Sequence, residues 1–336
     1  MIIQLEPNIS AAQKESVLLE LKNRKLKIVD VKTQINQYLV AIGKVDFDLR
    51  QVGHLEGIRD LHVVTDAYQL VSKKWKTSPS QINLGDGVVI GEGSLSLMAG
   101  PCSIEDESKT ETVAKFLSEQ GVKIMRGGVF KPRSSPYAFR GLGVDGLKMF
   151  YKVCRKYGIK IISEVMQVSQ IAEMYDYVDV FQVGARNTQN FNLLDELGKV
   201  DKPVLIKRGI SGSVDELLQS AEYVFSGGNE KLILCERGIR TYETSSRNTL
   251  DLNSVPILKE KSHLPVIVDP SHGIGIREFV EPMSLAAVAA GADGIIFEIH
   301  DEPEKAASDG AQTLNFEEAA QLVKRVRSLY DLRTSW

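Results

Sequence analysis

Three cations and two glycines crowd into the eight residues Arg126-Gly127-Gly128-Val129-Phe130-Lys131-Pro132-Arg133. Glycine lets a backbone come close to a ligand, and Arg and Lys at fixed spacing suit a doubly charged phosphate or carboxylate. An isolated R-x-x-x-x-K-x-R reads equally well as a solvated basic loop. Its context favours binding, because Arg186, Lys207 and Arg237 also follow apolar runs. Cations aimed at one mouth repel unless anions occupy it, so more than one anionic group is implied, such as two phosphates or a phosphate and a carboxylate. A second set, Cys102, His272, Glu298 and Asp309, offers a thiolate, an imidazole and two carboxylates, which are donors for a divalent transition metal. No compact C-x-x-C or H-E-x-x-H accompanies them, so only the fold could bring them together. Lys207, ending Val204-Leu205-Ile206-Lys207, leaves a Schiff-base aldolase open. Anion binding beside Arg208 explains it equally well.

These residues share a position. From Leu95 onward, apolar runs expected as strands alternate with helical patterns: 95–99, 122–125, 160–164, 179–183, 203–207, 231–234, 265–268 and 294–298. Helices are expected over 108–120, 145–157, 214–225, 280–290 and 316–329. Continuous apolar runs suit parallel strands covered on both faces. Repeated βα units over this length predict an α/β fold, a (β/α)8 TIM barrel over 95–336. The runner-up is an open doubly wound sheet, but no G-x-G-x-x-G joins a strand to a helix. In a barrel the residues just past each strand converge on one face, which promotes both sets to candidates.

Residues 1–64 read as βαββαβ, a small ferredoxin-like α+β domain. Its strands are expected at 2–5, 27–31, 37–42 and 57–64. A helix presents Ala11, Val17, Leu18 and Leu21 on one face, and a short one covers 47–52. Nothing there gathers chemistry, so a binding or assembly module is expected. Residues 65–94 read as a linker, with Val88-Val89-Ile90 and Gly91-Glu92-Gly93 forming a hairpin that closes the barrel bottom.

The 336 residues are 43% hydrophobic and 25% charged, with a net charge of −3, which is globular and argues against general nucleic-acid affinity. No apolar run is long enough to span a bilayer, and the N-terminus lacks a signal-peptide pattern. Three cysteines make no disulfide framework, so a reducing cytoplasm is expected. Cys154 reads as core packing, whereas Cys102 and Cys235 lie at strand ends.

The motifs G-P-C-S (100–103), R-G-G-V-F-K-P-R-S-S-P-Y (126–137), G-A-R-N (184–187), I-L-C-E-R-G (233–238), D-P-S-H (269–272) and E-I-H (298–300) resemble those of 3-deoxy-D-arabino-heptulosonate-7-phosphate (DAHP) synthase, over residues 95 to about 330. The N-terminal unit is similar to that of the subgroup with a ferredoxin-like domain. The resemblance implies condensation of phosphoenolpyruvate with erythrose 4-phosphate, releasing phosphate, as the first step towards aromatic amino acids. It makes Cys102, His272, Glu298 and Asp309 the ligands of one divalent metal (Mn, Fe, Co, Zn or similar). It makes Arg126, Lys131, Arg186, Lys207 and Arg237, with the Ala185 backbone, the phosphoenolpyruvate site. Lys131-Pro132-Arg133-Ser134 becomes the erythrose 4-phosphate site, and Asp269 of D-P-S-H joins the substrate-binding residues. Lys131, Cys102 and His272 are the catalytic candidates. For residues 1–64 it implies an aromatic amino acid inhibitor or subunit assembly, with a homotetramer favoured.

Two departures stand out. Ser134 replaces a frequent threonine, keeping the hydroxyl. Ile276 stands where a second basic residue is expected beside Arg277. The alternatives are 3-deoxy-D-manno-octulosonate-8-phosphate synthase, which takes arabinose 5-phosphate and carries K-A-N-R where this chain has Pro132-Arg133, and a non-catalytic sugar-phosphate-binding barrel.

Overall fold

The computed structural model describes residues 1–131, 137 and 139–335. The chain starts with β1 (Ile2–Leu5), α1 (Ala11–Asn23), β2 (Lys27–Lys32), β3 (Gln37–Ile42), α2 (Arg50–Gly53) and β4 (Ile58–His62). The strands form an antiparallel sheet in the order β2-β3-β1-β4. Ser10 starts α1 with a capping box: its hydroxyl accepts the Gln13 N–H, and the Gln13 side chain accepts the Ser10 N–H. Alternation divides the sheet into two apolar faces. Ile3, Leu5, Leu39 and Ala41 meet Val17 and Leu21 of α1, while Ile2, Tyr38 and Val40 join the core shared with the barrel. Ala11 differs from expectation, since this first residue of α1 is exposed. The second helix is also shorter than 47–52, because the Asp48 side chain accepts the Arg50 N–H at 3.0 Å and holds the preceding residues outside it.

Next, β5 (Gln81–Asn83) and β6 (Val89–Gly91) pair as an antiparallel hairpin. Its turn precedes Val88 instead of following Ile90. Gly85, Asp86 and Gly87 all have positive φ, and two glycines there relieve the cost of that left-handed path. Ile82, Val88 and Ile90 insert into the barrel's inner core.

The remaining elements are β7 (Ser96–Gly100), α3 (Glu107–Glu119), β8 (Ile124–Arg126), α4 (Gly143–Lys156), β9 (Lys160–Val165), α5 (Ser169–Met174), β10 (Val180–Val183), α6 (Phe191–Leu197), β11 (Val204–Lys207), α7 (Val214–Ser226), β12 (Leu232–Glu236), α8 (Ser254–Lys261), β13 (Val266–Val268), α9 (Pro270–Ile274), α10 (Arg277–Ala289), β14 (Gly294–Glu298) and α11 (Phe316–Thr334). Among the described residues, β7 to β14 close into a parallel barrel, with β14 paired to β7 through Ile295↔Leu97 and Ile296↔Met98. The (β/α)8 expectation holds.

Strand alternation then fixes what the barrel mouth contains. The inner layer is Met98, Ile124, Ile162, Val180, Leu205, Ile233, Cys235, Ile267 and Ile296. Side chains two residues further along a strand point the same way. Two residues beyond Ile124, Ile162, Val180, Leu205, Cys235, Ile267 and Ile296 stand Arg126, Glu164, Gln182, Lys207, Arg237, Asp269 and Glu298. The apolar layer therefore carries a polar layer directly above it. Cys235 belongs to the apolar layer and is fully buried, with its thiol pKa pushed up by burial.

Candidate active site

Cys102, Arg126, Lys131, Ala185, Arg186, Lys207, Arg237, His272 and Asp309 line one cavity of about 290 Å³ at the C-terminal ends of the strands. Asp269 and Glu298 lie behind its wall, each 1% exposed, and reach it through their partners. Pro132, Arg133 and Ser134 lie outside the described residues.

The acids are shared among basic groups. Asp269 Oδ2 accepts from Lys207 Nζ at 2.5 Å and faces His272 Nδ1 at 2.8 Å, and Asp269 Oδ1 accepts the His272 N–H at 3.0 Å. Burial works against that charge, yet the basic groups of His272 and Lys207 hold the Asp269 carboxyl well below the usual range. Lys207 is committed to this ion pair, which favours the binding role over a Schiff base. Glu298 Oε1 accepts from Arg126 Nη1 at 3.1 Å, and Oε2 accepts from Gln312 Nε2 at 2.8 Å. Burial disfavours the Arg126 guanidinium charge, but Glu298 and its neighbours more than restore it.

Cys102, Glu298 and Asp309 place one donor atom each within 4.8 Å of one another. His272 Nε2 joins them from 3.5 Å beyond Glu298 Oε1. Its Nδ1 is occupied by Asp269, which leaves Nε2 as the ring nitrogen on the cluster side, the orientation in which a histidine can act as a donor. The Cys102 thiol donates to Asp309 Oδ2 at 3.0 Å, and Lys131 Nζ donates to Cys102 Sγ at 2.9 Å. Burial, and then Glu298, push that thiol up to about 11, against the opposing charges of Lys131 and Arg126. Asp309 is pulled the other way. Burial would raise its pKa, but the thiol hydrogen bond and the charges of Arg247 and His272 lower it. A sulfur and two carboxylate donors grouped this closely, with an imidazole nitrogen beside one of them, are the donor types that suit a divalent transition metal.

Cations dominate the rest of the lining. Among the described residues, seven Lys or Arg side chains face two carboxylates, Glu164 and Asp309, a balance that favours anions. Arg237 shows this most clearly. It is 6% exposed, and among the described residues its guanidinium reaches only the carbonyls of Gly238 and His272, each at 3.3 Å. Burial and then the Arg247 charge lower its pKa, although Asp269 pulls the other way. Such a group gains from an incoming anion. Arg208, in contrast, is consumed by Glu236 at 2.9 Å and Asp251 at 2.7 Å and does not line the cavity. At Gly184 a Cβ would sit 2.1 Å from Glu164 Oε1, so the missing side chain makes room for that carboxylate.

Sequence reasoning did not nominate Gln182, Ile210, Arg240, Arg247 or Asn248 for the lining. Gln182 was legible as a polar residue on an inner position of an apolar strand. Arg240, Arg247 and Asn248 sit on the long 237–253 connection, where no periodicity points inward. Arg247 Nη1 reaches Asp309 Oδ1 at 3.3 Å, and Asn248 Nδ2 donates to the His272 carbonyl at 2.9 Å. The departure at Ile276 removes nothing from the cavity. Ile276 is the extended residue just before α10, and Arg277 turns to Glu318 at 2.8 Å and Glu304 at 2.9 Å.

Against known proteins, the family model described as the DAHP synthetase I family matches residues 71–332. The chain is 44% identical over 332 residues, 98% of both chains, to the phospho-2-dehydro-3-deoxyheptonate aldolase of Thermotoga maritima. It resembles the crystal structure of that organism's phospho-2-dehydro-3-deoxyheptonate aldolase (DAHP synthase), with a TM-score of 0.79, 43% identity, and coverage of 98% of this chain and 97% of the other. A 2-dehydro-3-deoxyphosphooctonate aldolase of Geobacter sulfurreducens is 33% identical over 271 residues, covering 74% of this chain and 97% of its own length.

Proposed function

The chain belongs to the DAHP synthetase I family and is an enzyme of the DAHP synthase type, and we propose that it condenses phosphoenolpyruvate with erythrose 4-phosphate at the barrel mouth, opening the route to aromatic amino acids. One observation carries this reading: a cavity with a large excess of cations adjoins a Cys-Glu-Asp cluster faced by His272. Arg126, Lys131, Arg186, Lys207 and Arg237 would fix the phosphate and carboxylate of phosphoenolpyruvate, assisted by the Ala185 backbone. The new C–C bond joins its methylene carbon to the aldehyde carbon, and holding both partners in register removes much of the entropic barrier. Water adds at the enol carbon, phosphate leaves as its C–O bond to that carbon breaks, and the same cations stabilise the departing phosphate. Pro132, Arg133 and Ser134 complete the proposal as the acceptor's site.

Cys102, His272, Glu298 and Asp309 would hold one divalent cation. When bound, it would supply Lewis acidity towards the acceptor aldehyde oxygen. Lys131 Nζ donates to Cys102 Sγ at 2.9 Å, and we assign it the proton that the new alkoxide takes up. A Lys131→Met variant that keeps turnover at saturation and loses only affinity overturns that assignment.

The test of the reaction uses chelator-treated full-length chain and follows phosphoenolpyruvate consumption. Erythrose 4-phosphate and arabinose 5-phosphate are offered separately, before and after adding a divalent metal. Turnover restored by metal with the four-carbon sugar is expected. Turnover with the five-carbon sugar alone overturns the acceptor assignment.

We further propose an aromatic amino acid site in residues 1–64 and a homotetramer, on the ferredoxin-like strand order and the subgroup resemblance. Titrating phenylalanine, tyrosine and tryptophan into the assay tests the first, and sedimentation tests the second. Three free, buried cysteines support a reducing compartment. Among the described residues no helix is long and apolar enough to cross a membrane.

A further inference from the structure

Asp309 reaches the mouth on a long connection. The chain leaves β14 at Glu298 and passes through short helical turns at Pro303–Lys305 and Gly310–Gln312 before α11 begins. Asp309 itself sits at φ 55, a backbone region that L side chains rarely adopt. A carboxylate on such a segment stays in place only if other groups hold the segment.

The holding groups come from the loop after β7, the loop that carries Cys102. Read along the two loops, the contacts run in antiparallel order. Cys102 Sγ meets Asp309 Oδ2 at 3.0 Å, and Ser103 Oγ meets Ser308 Oγ at 2.7 Å in a buried pair. Glu105 Oε1 then accepts the Ala307 N–H at 2.7 Å. Glu105 is itself fixed, since its other oxygen takes Lys109 Nζ at 2.5 Å. Ser103 also bridges to Gly128, which ties the same stretch to the loop leading to Lys131.

We propose that Ser103 and Glu105 are positioning residues, forming a side-chain zipper that sets the spacing between Cys102 and Asp309. The inference rests on the metal reading above, and it assigns to residues outside the donor set the task of making the donors a site. Neither residue lines the cavity. Their effect passes through the two loops, as outer contacts of a metal site orient its ligands.

The experiment titrates cobalt(II) into metal-stripped full-length chain and reads the thiolate-to-cobalt absorption band, with kcat and KM for phosphoenolpyruvate measured at saturating cobalt. Glu105→Ala is expected to weaken cobalt binding by about 10–100-fold. At saturating cobalt its kcat should return to within about twofold of wild type, with KM unchanged. Glu105→Gln, whose amide oxygen can still accept the Ala307 N–H, should bind cobalt nearly as wild type does, a rescue that loss of general packing would not give. Ser308→Ala removes a single hydroxyl, so it keeps the test open if Glu105→Ala does not fold, and it should weaken binding in the same direction. Wild-type affinity and an unshifted band in Glu105→Ala, or in Ser308→Ala where the former does not fold, overturn the zipper alone. No cobalt band in the wild-type chain overturns the metal reading and the zipper with it.

Discussion

At the barrel mouth the buried carboxylates of Asp269 and Glu298 each meet basic groups, and cations remain over: among the described residues, the buried Arg237 guanidinium meets only backbone carbonyls. At the other end of the same barrel, where the N-terminal sheet docks ahead of β12, buried Glu230 is treated differently. It accepts from Thr33 Oγ1 at 2.6 Å, Asn36 Nδ2 at 3.3 Å and Tyr38 Oη at 3.2 Å, and these donors are all neutral. Tyr38 also packs edge-on to Trp75 and Phe225, with ring centroids at 5.3 and 5.8 Å. The seam is closed and satisfied, so its polar groups serve the fold. The mouth is unbalanced, and its excess positive charge is an unfinished interaction that a ligand completes. Barrels separate these tasks by end, with chemistry at the C-terminal face and stability at the N-terminal one.

The largest break in that comparison is loss of the donor cluster. Cys102→Ala, or chelation of the wild type, should lower kcat by about 10³-fold or more, since a bound metal contributes several kcal/mol to such a transition state. A Cys102→Ala enzyme with wild-type kcat after chelation would remove the cluster from the chemistry.

Two cations at the mouth should then part company. Lys207→Met leaves Asp269 with less compensation in a buried place, so both activity and stability fall, the latter by about 3–5 kcal/mol. Arg237→Met removes a buried charge that has no carboxylate hydrogen-bonded to it among the described residues. Its kcat/KM should fall by about 10²–10³, while its melting temperature holds or rises. Steady-state kinetics and thermal melts with and without phosphoenolpyruvate separate the two. Equal destabilisation by both substitutions would show that Arg237 is as much a structural cation as Lys207.

How much of this was legible follows from periodicity. The barrel strands were readable because continuous apolar runs have few alternative placements, and the observed ends differ by only a residue or two at most boundaries. Arg126, Lys207, Arg237, Asp269 and Glu298 were readable because each sits at an inner position directly above an apolar one. Arg240, Arg247, Asn248 and Gln312 were not, since they come from irregular segments whose direction is set by hydrogen bonds formed after folding. The Glu105–Ala307 contact spans 202 residues through a backbone N–H that leaves no trace in side-chain type. The Gly85–Gly87 turn was misjudged by one loop because glycines flank Val88-Val89-Ile90 on both sides. Asp48 likewise shortened α2 through a contact that propensity does not register.

At the seam the effects should be smaller and confined to stability. Glu230→Ala strands the Thr33, Asn36 and Tyr38 donors and should cost about 1–3 kcal/mol, read by chemical denaturation, with kcat at saturating substrate unchanged. A loss of kcat without loss of stability would mean that the two ends of the barrel communicate, contrary to the separation drawn above.

The effect with a characteristic sign belongs to His263 in the same seam. Its Nε2 faces the Leu70 carbonyl at 2.9 Å, so that nitrogen must carry the hydrogen. Its Nδ1 then accepts from Ser80 Oγ at 2.9 Å, and Ser80 Oγ in turn accepts from Lys76 Nζ at 2.7 Å. Trp75 and Phe225 enclose the ring edge-on. A second proton on this imidazole would break the Ser80 bond and stand near the Lys76 charge. Burial first, and then Lys76, accordingly hold His263 at about 3, below its ordinary 6.5. Because the folded value is the depressed one, the unfolded chain takes up this proton first as the pH falls. The stability contribution is intact above about 6.5 and declines towards about 3, by up to about 1.4 kcal/mol per pH unit. His263→Gln keeps a donor for the Leu70 carbonyl and cannot take up that proton, so its unfolding free energy should fall less between pH 7 and pH 5 than that of the wild type. Parallel pH profiles for the two proteins would mean that the seam admits the proton, and that its buried groups are less closed to charge than those of the mouth.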